Sequence, residues 1–184
     1  VRDGEILLHC CCLSSDFQLR YKNVVHEKIF TWVKEFVAQL RLTGQISFDF
    51  IENSNGDILP IECNPRTHSA ITSFYNSEHL AGAYINPSLN RDLPVFPEAN
   101  ARETYWLYHE LFDLFSNFSV SNIREKLKLF LNGKEAIFDM RDPLPFLMVY
   151  HWQIPCLLAG ALISGESWLR IDFNIGKLVE PGGD

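Results

Sequence analysis

Residues 47 to 64 carry side chains whose types and spacing could hold a metal ion. Residues 45–52 alternate: Ile46, Phe48 and Phe50 are apolar, while Gln45, Ser47 and Asp49 take the other parity. That is the period of a half-buried strand. Ser54-Asn55-Gly56-Asp57 follows, and Asn-Gly favours a type I′ hairpin turn, in which both central residues need φ > 0. Residues 58–64 are then the return strand. A two-residue turn at Asn55-Gly56 makes Phe50 face Ile61, Asp49 face Glu62 and Ser47 face Asn64. Asp49, Glu62, Ser47 and Asn64 share one face; Phe48, Phe50, Ile61 and Cys63 share the other. Two carboxylates directly opposed in a sheet repel. A cation between them turns that repulsion into a site. Oxygen donors such as Asp49, Glu62 and Asn64 suit a hard ion, Mg2+ or Mn2+, shared with substrate phosphates. The competing reading is a hairpin whose wet side carries two acids. Pro60 cannot donate to a ladder, so the return strand is an edge or is bulged there. A bulge would slip the register by one residue.

The elements that position this hairpin follow from periodicity. Residues 5–12 (EILLHCCC) are a near-continuous apolar run, expected as a buried central strand. Residues 14–25 form a polar loop with Gln18, Arg20, Tyr21 and Lys22, placed to overhang the site. Residues 26–42 are a helix, because Ile29, Trp32, Val33, Phe36, Val37 and Leu40 recur on one stripe. Gly44 is placed as its left-handed cap. After Pro65, residues 67–74 begin a short helix. Residues 85–100, with three prolines and three asparagines, read as a linker or surface loop. Residues 101–115 and 122–131 read as helices, the second opened by an Asn122–Glu125 capping box and closed by Gly133. Residues 168–179 read as strand, turn and strand. The expected class is α+β: an antiparallel sheet with a packed helix over 1–84, the 85–100 linker, and a mainly helical extension over 101–184 ending in a short β element.

Composition narrows the partners. The 184 residues are 47% hydrophobic and 13% aromatic, which suits a packed core. A net charge of −7 argues against a nucleic-acid surface. Cys10, Cys11 and Cys12 are adjacent and have no zinc-ligand spacing. Five cysteines in a chain of this length point to a reducing, cytoplasmic setting. The start at Val1 reads as an internal piece of a longer protein. Residues 145–163 are the longest apolar run, but His151, Gln153 and Pro155 interrupt it. Buried segments of a soluble domain are expected there, not a membrane span.

The run from Asp49 through Glu62-Cys63-Asn64-Pro65-Arg66 to Ser69 resembles the metal-binding hairpin of ATP-grasp ligases. The order strand, loop, helix, Gly, strand before it is similar to the C-terminal half of an ATP-grasp domain. Residues 42–51, 62–76, 104–106 and 171–177 resemble the mycosporine branch of that family, whose ligases join glycine to 4-deoxygadusol. The resemblance implies that Asp49, Glu62 and Asn64 hold Mg2+ bridging ATP phosphates. It implies that Arg66 contacts the phosphorylated intermediate or an acidic substrate. Thr67, His68 and Ser69 follow and would line the substrate pocket. The family's N-terminal half, with its glycine-rich lid and ATP-holding lysines, has no counterpart here: there is no Gly-x-Gly-x-x-Gly and no Walker loop.

Three functions compete. The first is an ATP- and Mg2+-dependent ligase joining an amine to a phosphate-activated small molecule. The second is an incomplete ATP-grasp fragment acting as a structural module beside its missing N-terminal half. The third is a hydrolase using Asp49 and Glu62 as general acid and base. Each residue also has a plainer role. Arg66 pairs equally well with Glu62 or Asp49, and His68 serves as a hydrogen-bonded structural histidine. Asp172, in Ile-Asp-Phe-Asn, reads as a strand-end acid, since no His-Arg-Asp loop accompanies it. Tyr105, Trp106, Tyr108 and Phe112 read as core.

Overall fold

A computed structural model describes residues 1–13, 19–86 and 93–165. The expected β unit at 168–179, Asp172 and Gln18 lie outside the described residues. The class is mixed α+β, with two small sheets and helices along the second half.

Helix α1 (Glu27–Gln39) forms where the apolar stripe predicts it. His26 caps its first turn, Nδ1 accepting the Ile29 N–H at 3.3 Å, and Glu27 complements the positive end of the helix. Its C-terminus closes differently from expectation. Arg41, not Gly44, takes the left-handed conformation (φ 49°) directly after the cap residue Leu40. The Arg41 and Leu42 N–H groups then donate to the Ala38 and Val37 carbonyls at 3.2 and 3.0 Å, a Schellman arrangement. Gly44 instead exchanges hydrogen bonds with Val1, which ties the chain's first residues to the turn after α1. Gly4 is needed there: it has φ 83°, and a Cβ on it would come within 3.0 Å of Ala38 Cα.

The hairpin of β2 (Ser47–Glu52) and β3 (Ile58–Asn64) has the predicted partners at its open end: Ser47 with Asn64, Phe48 with Cys63, Asp49 with Glu62. Beyond Asp49 the register shifts, so that Phe50 faces Pro60 and not Ile61. A bulge at this point leaves Ile61 unpaired and accommodates a residue that has no N–H to give. The turn also differs from expectation. Only Gly56 among its residues has positive φ (77°), and its N–H donates to the Asn53 carbonyl at 3.0 Å. This is a three-residue loop ending in a left-handed glycine, not a type I′ turn. Asn53 selects it, because its Oδ1 accepts the N–H groups of both Asn55 and Asp57 at 2.9 Å.

The hairpin rests on α1 through an aromatic layer. Trp32 stacks on Phe36 at 4.9 Å and meets Phe48 and Phe50 edge-on at 5.4 and 5.3 Å. Such ring pairs contribute about 0.5–1.5 kcal/mol each beyond burial, and a two-stranded hairpin needs this support to persist.

Residues 5–12 are not the expected central strand. They make only isolated bridges, Leu8 to Val95 and Cys12 to Asn23 among them. The apolar run instead lends single side chains to a core of Leu7, Phe74, Ala83 and Val95. The stretch read as a linker therefore supplies Val95 to that core, and its N–H donates to the Leu7 carbonyl at 2.9 Å. The short helix after Pro65 is a 3-10 helix, Ser69–Phe74, and α2 (Leu80–Ile85) follows it.

The second sheet is three two-residue strands in the order β1 (Arg20–Tyr21), β4 (Thr104–Tyr105), β5 (Lys134–Glu135). It joins the first and second halves of the chain. Helix α3 (Leu107–Ser116) begins later than the helix expected from residue 101, because Thr104 and Tyr105 are taken by β4, and α4 (Val120–Asn132) covers the second expected helix. Ser119, not Asn122, caps α4: its side chain accepts the Asn122 N–H at 3.1 Å. Gly133 ends that helix as predicted. Tyr105 and Trp106 are core residues, whereas Tyr108 and Phe112 are exposed.

The apolar run after residue 143 is one helical stretch: α5 (Leu144–Met148), a π-helical turn (Val149–Gln153) and α6 (Ile154–Ser164). It is not buried as expected; only 6% of its most apolar window is covered. Tyr150 docks with Leu19 and Trp106, but the sequence is apolar all round and one body covers one side. By length and composition it could cross a membrane.

Candidate functional site

The hairpin face is built from the open end of β2 and β3, where the register is regular. Asp49 and Glu62 are directly opposed, and Ser47 and Asn64 form the next pair on the same face. Asp49 is half-buried and Glu62 exposed. The Asn64 Nδ2 donates to Glu62 Oε1 at 2.9 Å, which leaves the Asn64 amide oxygen outside that bond. Four oxygen-bearing groups thus share one face.

One of them has no partner. Ser47 Oγ is buried and makes no hydrogen bond among the described residues. Such an orphan costs about 1–3 kcal/mol unless something satisfies it. Oxygen donors of this kind, two of them carboxylates, fit a hard divalent cation in type. Among the described residues no group of three or more His, Cys, Asp or Glu side chains converges; the set here has two such residues, completed by an amide and a hydroxyl. Ser47 was legible only as a parity position, because nothing in sequence reveals whether a strand hydroxyl finds a partner.

Arg66 lies just beyond. Its N–H donates to the Asn64 carbonyl at 2.8 Å, a tight turn that follows from Pro65 ending the strand. Its side chain is exposed and makes no ion pair with Glu62, Asp49 or any other described residue. The charges of Arg66 and Asp49 both act on Tyr21 and His68, so these four groups share one neighbourhood.

The three residues after Arg66 are each engaged within the chain. His68 Nδ1 accepts the Ala70 N–H at 3.1 Å and so caps the 3-10 helix. Its ring stands edge-on to Tyr21 at 5.3 Å. Burial, and secondarily Arg66, hold His68 below the ordinary histidine pKa, against the opposing pull of Asp49. It is a neutral acceptor at neutral pH. Burial raises Tyr84 and Tyr21 above the ordinary tyrosine value. The Thr67 hydroxyl opposes the rise at Tyr84 and the Ser69 hydroxyl the rise at Tyr21, so each lies close to its tyrosine. Tyr21, read from sequence only as part of an overhanging loop, is a buried wall behind His68 and Ser69. Arg20 is held elsewhere, its guanidinium donating to Glu103 and Glu125 at 2.5 Å.

Comparison with protein-family models, curated proteins and solved structures found no match to this chain.

Proposed function

We propose that this chain is part of an ATP- and Mg2+-dependent ligase of the ATP-grasp type. The reaction would join an amine, such as that of glycine, to a phosphate-activated small molecule such as 4-deoxygadusol. The observation that carries the reading is the opposed Asp49–Glu62 pair, flanked by Asn64 and by a Ser47 hydroxyl that has no hydrogen-bond partner among the described residues, with Arg66 following two residues after Asn64 and in no ion pair among them.

A divalent cation on this face would neutralise triphosphate charge so that a substrate oxygen can reach the γ-phosphorus. Asp49, Glu62 and Asn64 would hold it with oxygen donors. Arg66 is permanently charged, planar and unpaired, and would grip the transferred phosphate by its fork of donors. His68, neutral and engaged at Nδ1, would position the strand end and offer Nε2 to a substrate. Thr67 and Ser69 would shape the pocket through their tyrosine partners.

The test is phosphate release from Mg2+-ATP by the full-length enzyme, with glycine and 4-deoxygadusol present. Asp49→Asn and Glu62→Gln should each lower it at least about tenfold, the ordinary effect of weakening a metal's holders. Parental rates in both variants reject the assignment.

A second reading has its own support. His68 Nδ1 is already occupied by the Ala70 N–H and caps the 3-10 helix, as in a structural module. This incomplete-fragment reading expects no heat when Mg2+-ATP is titrated into the chain, and a measurable heat excludes it.

A further inference from the structure

Away from the hairpin, the irregular segment of residues 5–12 places two thiols in contact. Cys10 Sγ and Cys12 Sγ lie 3.4 Å apart. Alternation along extended backbone puts them on one side and sends Cys11 to the other, where it lines a separate apolar pocket with His9 and Phe30. Both sulfurs are partly buried and have further partners. Cys10 Sγ donates toward Asn23 Oδ1 at 3.6 Å and the Ala70 carbonyl at 3.8 Å. Cys12 Sγ is 3.8 Å from Ser73 Oγ. Ala70 and Ser73 belong to the 3-10 helix that His68 caps.

We propose that Cys10 and Cys12 form a redox-active dithiol, whose oxidation by a low-molecular-weight disulfide closes a Cys10–Cys12 bond. The two sulfurs start 3.4 Å apart. Because residues two apart on extended backbone are about 6.6 Å apart and a disulfide brings its Cβ atoms to about 3.5–4.5 Å, closing the bond also bends the backbone at Cys11. The order of attack is set by the surroundings of each sulfur. Cys10 has two acceptors for its proton, Asn23 Oδ1 and the Ala70 carbonyl, whereas Cys12 has beside it the Ser73 hydroxyl and the Cys10 thiol, either of which can donate to a thiolate. In keeping with this, Cys12 lies below the ordinary thiol pKa and Cys10 above it. Cys12 is therefore the attacking thiolate. It displaces one thiolate from the external disulfide and forms a mixed disulfide. Cys10 then loses its proton to solvent, attacks the Cys12 sulfur and displaces the second thiolate. Two protein thiols give up two electrons, one external disulfide becomes two small thiols, and the two protons balance their charge. A bond across so short a loop is strained and hence readily reduced. Oxidation also removes the S–H groups directed at Asn23 and the 3-10 helix, so the state of the pair is felt next to His68 and Ser69.

The experiment is treatment of the reduced chain with oxidised glutathione, acid quench, alkylation and peptide mapping. The expected result is a Cys10–Cys12 bond with Cys11 alkylated, reversed by reduced glutathione. With iodoacetamide in limiting amount at neutral pH, Cys12 should alkylate about tenfold faster than Cys10. In Cys10→Ser, Cys12 should retain one glutathione; in Cys12→Ser, Cys10 should stay unmodified. Free thiols at both positions after oxidation, or a bond from either one to Cys11, Cys63 or Cys156, overturns the proposal. The mapping of the parent chain decides this without any variant.

Discussion

The hairpin face and the α3–α4 contact both gather carboxylates, and they treat them in opposite ways. Between α3 and α4, Glu110 and Lys126 are each 6% exposed. The Lys126 ammonium reaches Glu110 Oε2 and, at 2.7 Å, Asp113 Oδ2. Asn117 donates to the other oxygen of Asp113 at 2.7 Å. Nearby, buried Glu135 accepts the Ile137 N–H, the Phe138 N–H and the Tyr150 hydroxyl at 2.5 to 2.7 Å. Every acid there is answered from within the chain. On the hairpin, Asp49 faces Glu62, and among the described residues the face is answered by one amide hydrogen bond, Asn64 to Glu62, with Arg66 in no ion pair. Internal pairing marks scaffold; the opposed acids of the hairpin have no such answer among the described residues, and the proposed cation site rests on that difference. The comparison therefore assigns different consequences to the same residue type.

The largest expected effect breaks the paired region. Lys126→Met should destabilise the chain by about 3–5 kcal/mol, because it leaves Glu110 as a buried, uncompensated charge. Urea unfolding measures this, and adding Glu110→Leu should recover most of the loss. A change under about 0.5 kcal/mol for Lys126→Met would place these groups among ordinary exposed pairs and remove the contrast. Acid should act on the same place. The hydrogen bond from Lys126 holds Asp113 below its ordinary pKa. That stabilisation is complete above the unfolded value near 3.8 and is lost as pH falls through the lower, folded value.

His9 is a third case, burial without a charged partner. It sits edge-on to Phe30 at 4.9 Å and Phe96 at 5.9 Å, and burial pushes its pKa down from 6.5 to about 4. The folded state thus favours the neutral ring. Its contribution is complete above pH 6.5 and is lost as pH falls through about 4, on the order of 3 kcal/mol in all. Unfolding free energy measured from pH 7 to pH 4 should show this slope, and His9→Phe should flatten it. An unchanged slope in His9→Phe would assign the acid sensitivity to other groups.

How much of this was legible follows from where the information resides. Helix α1 and the open end of the hairpin were readable because both depend on local periodicity. Parity placed Asp49 and Glu62 on one face, but their direct opposition was expected from a two-residue turn that does not form: the three-residue loop slips the register by one and the bulge between Asp49 and Phe50 slips it back. The bulge was legible as far as Pro60, whose missing N–H forbids a regular ladder. The turn was not, because Asn53 decides it by reaching forward to two backbone N–H groups, a tertiary-like contact hidden behind a familiar Asn-Gly. Residues 5–12 misled because an apolar run reads alike whether it pairs in a sheet or lends separate side chains to a core. Glu110, Lys126 and Glu135 gave no signal, since a buried ion pair and a surface one have the same composition. The exposure of α5 and α6 was equally hidden: apolar sequence states a preference for cover, not the presence of it.

The smallest effect in stability is the sharpest for the hairpin. Without metal, Asp49→Asn and Glu62→Gln each remove one of two opposed like charges, so each should stabilise the chain slightly, by about 0.2–1 kcal/mol. A residue that serves the scaffold would do the reverse when changed. Millimolar Mg2+ should then reorder the series. The parent gains stability with metal concentration, because an ion that binds only the folded state shifts unfolding by mass action, while either variant gains less. Urea unfolding in EDTA and in Mg2+ reads both terms on the same three proteins. Crossing of parent and variants between the two conditions identifies the open acids as a cation site. Parallel shifts in all three leave them as a solvated face, and the contrast with the α3–α4 region would then be one of exposure alone.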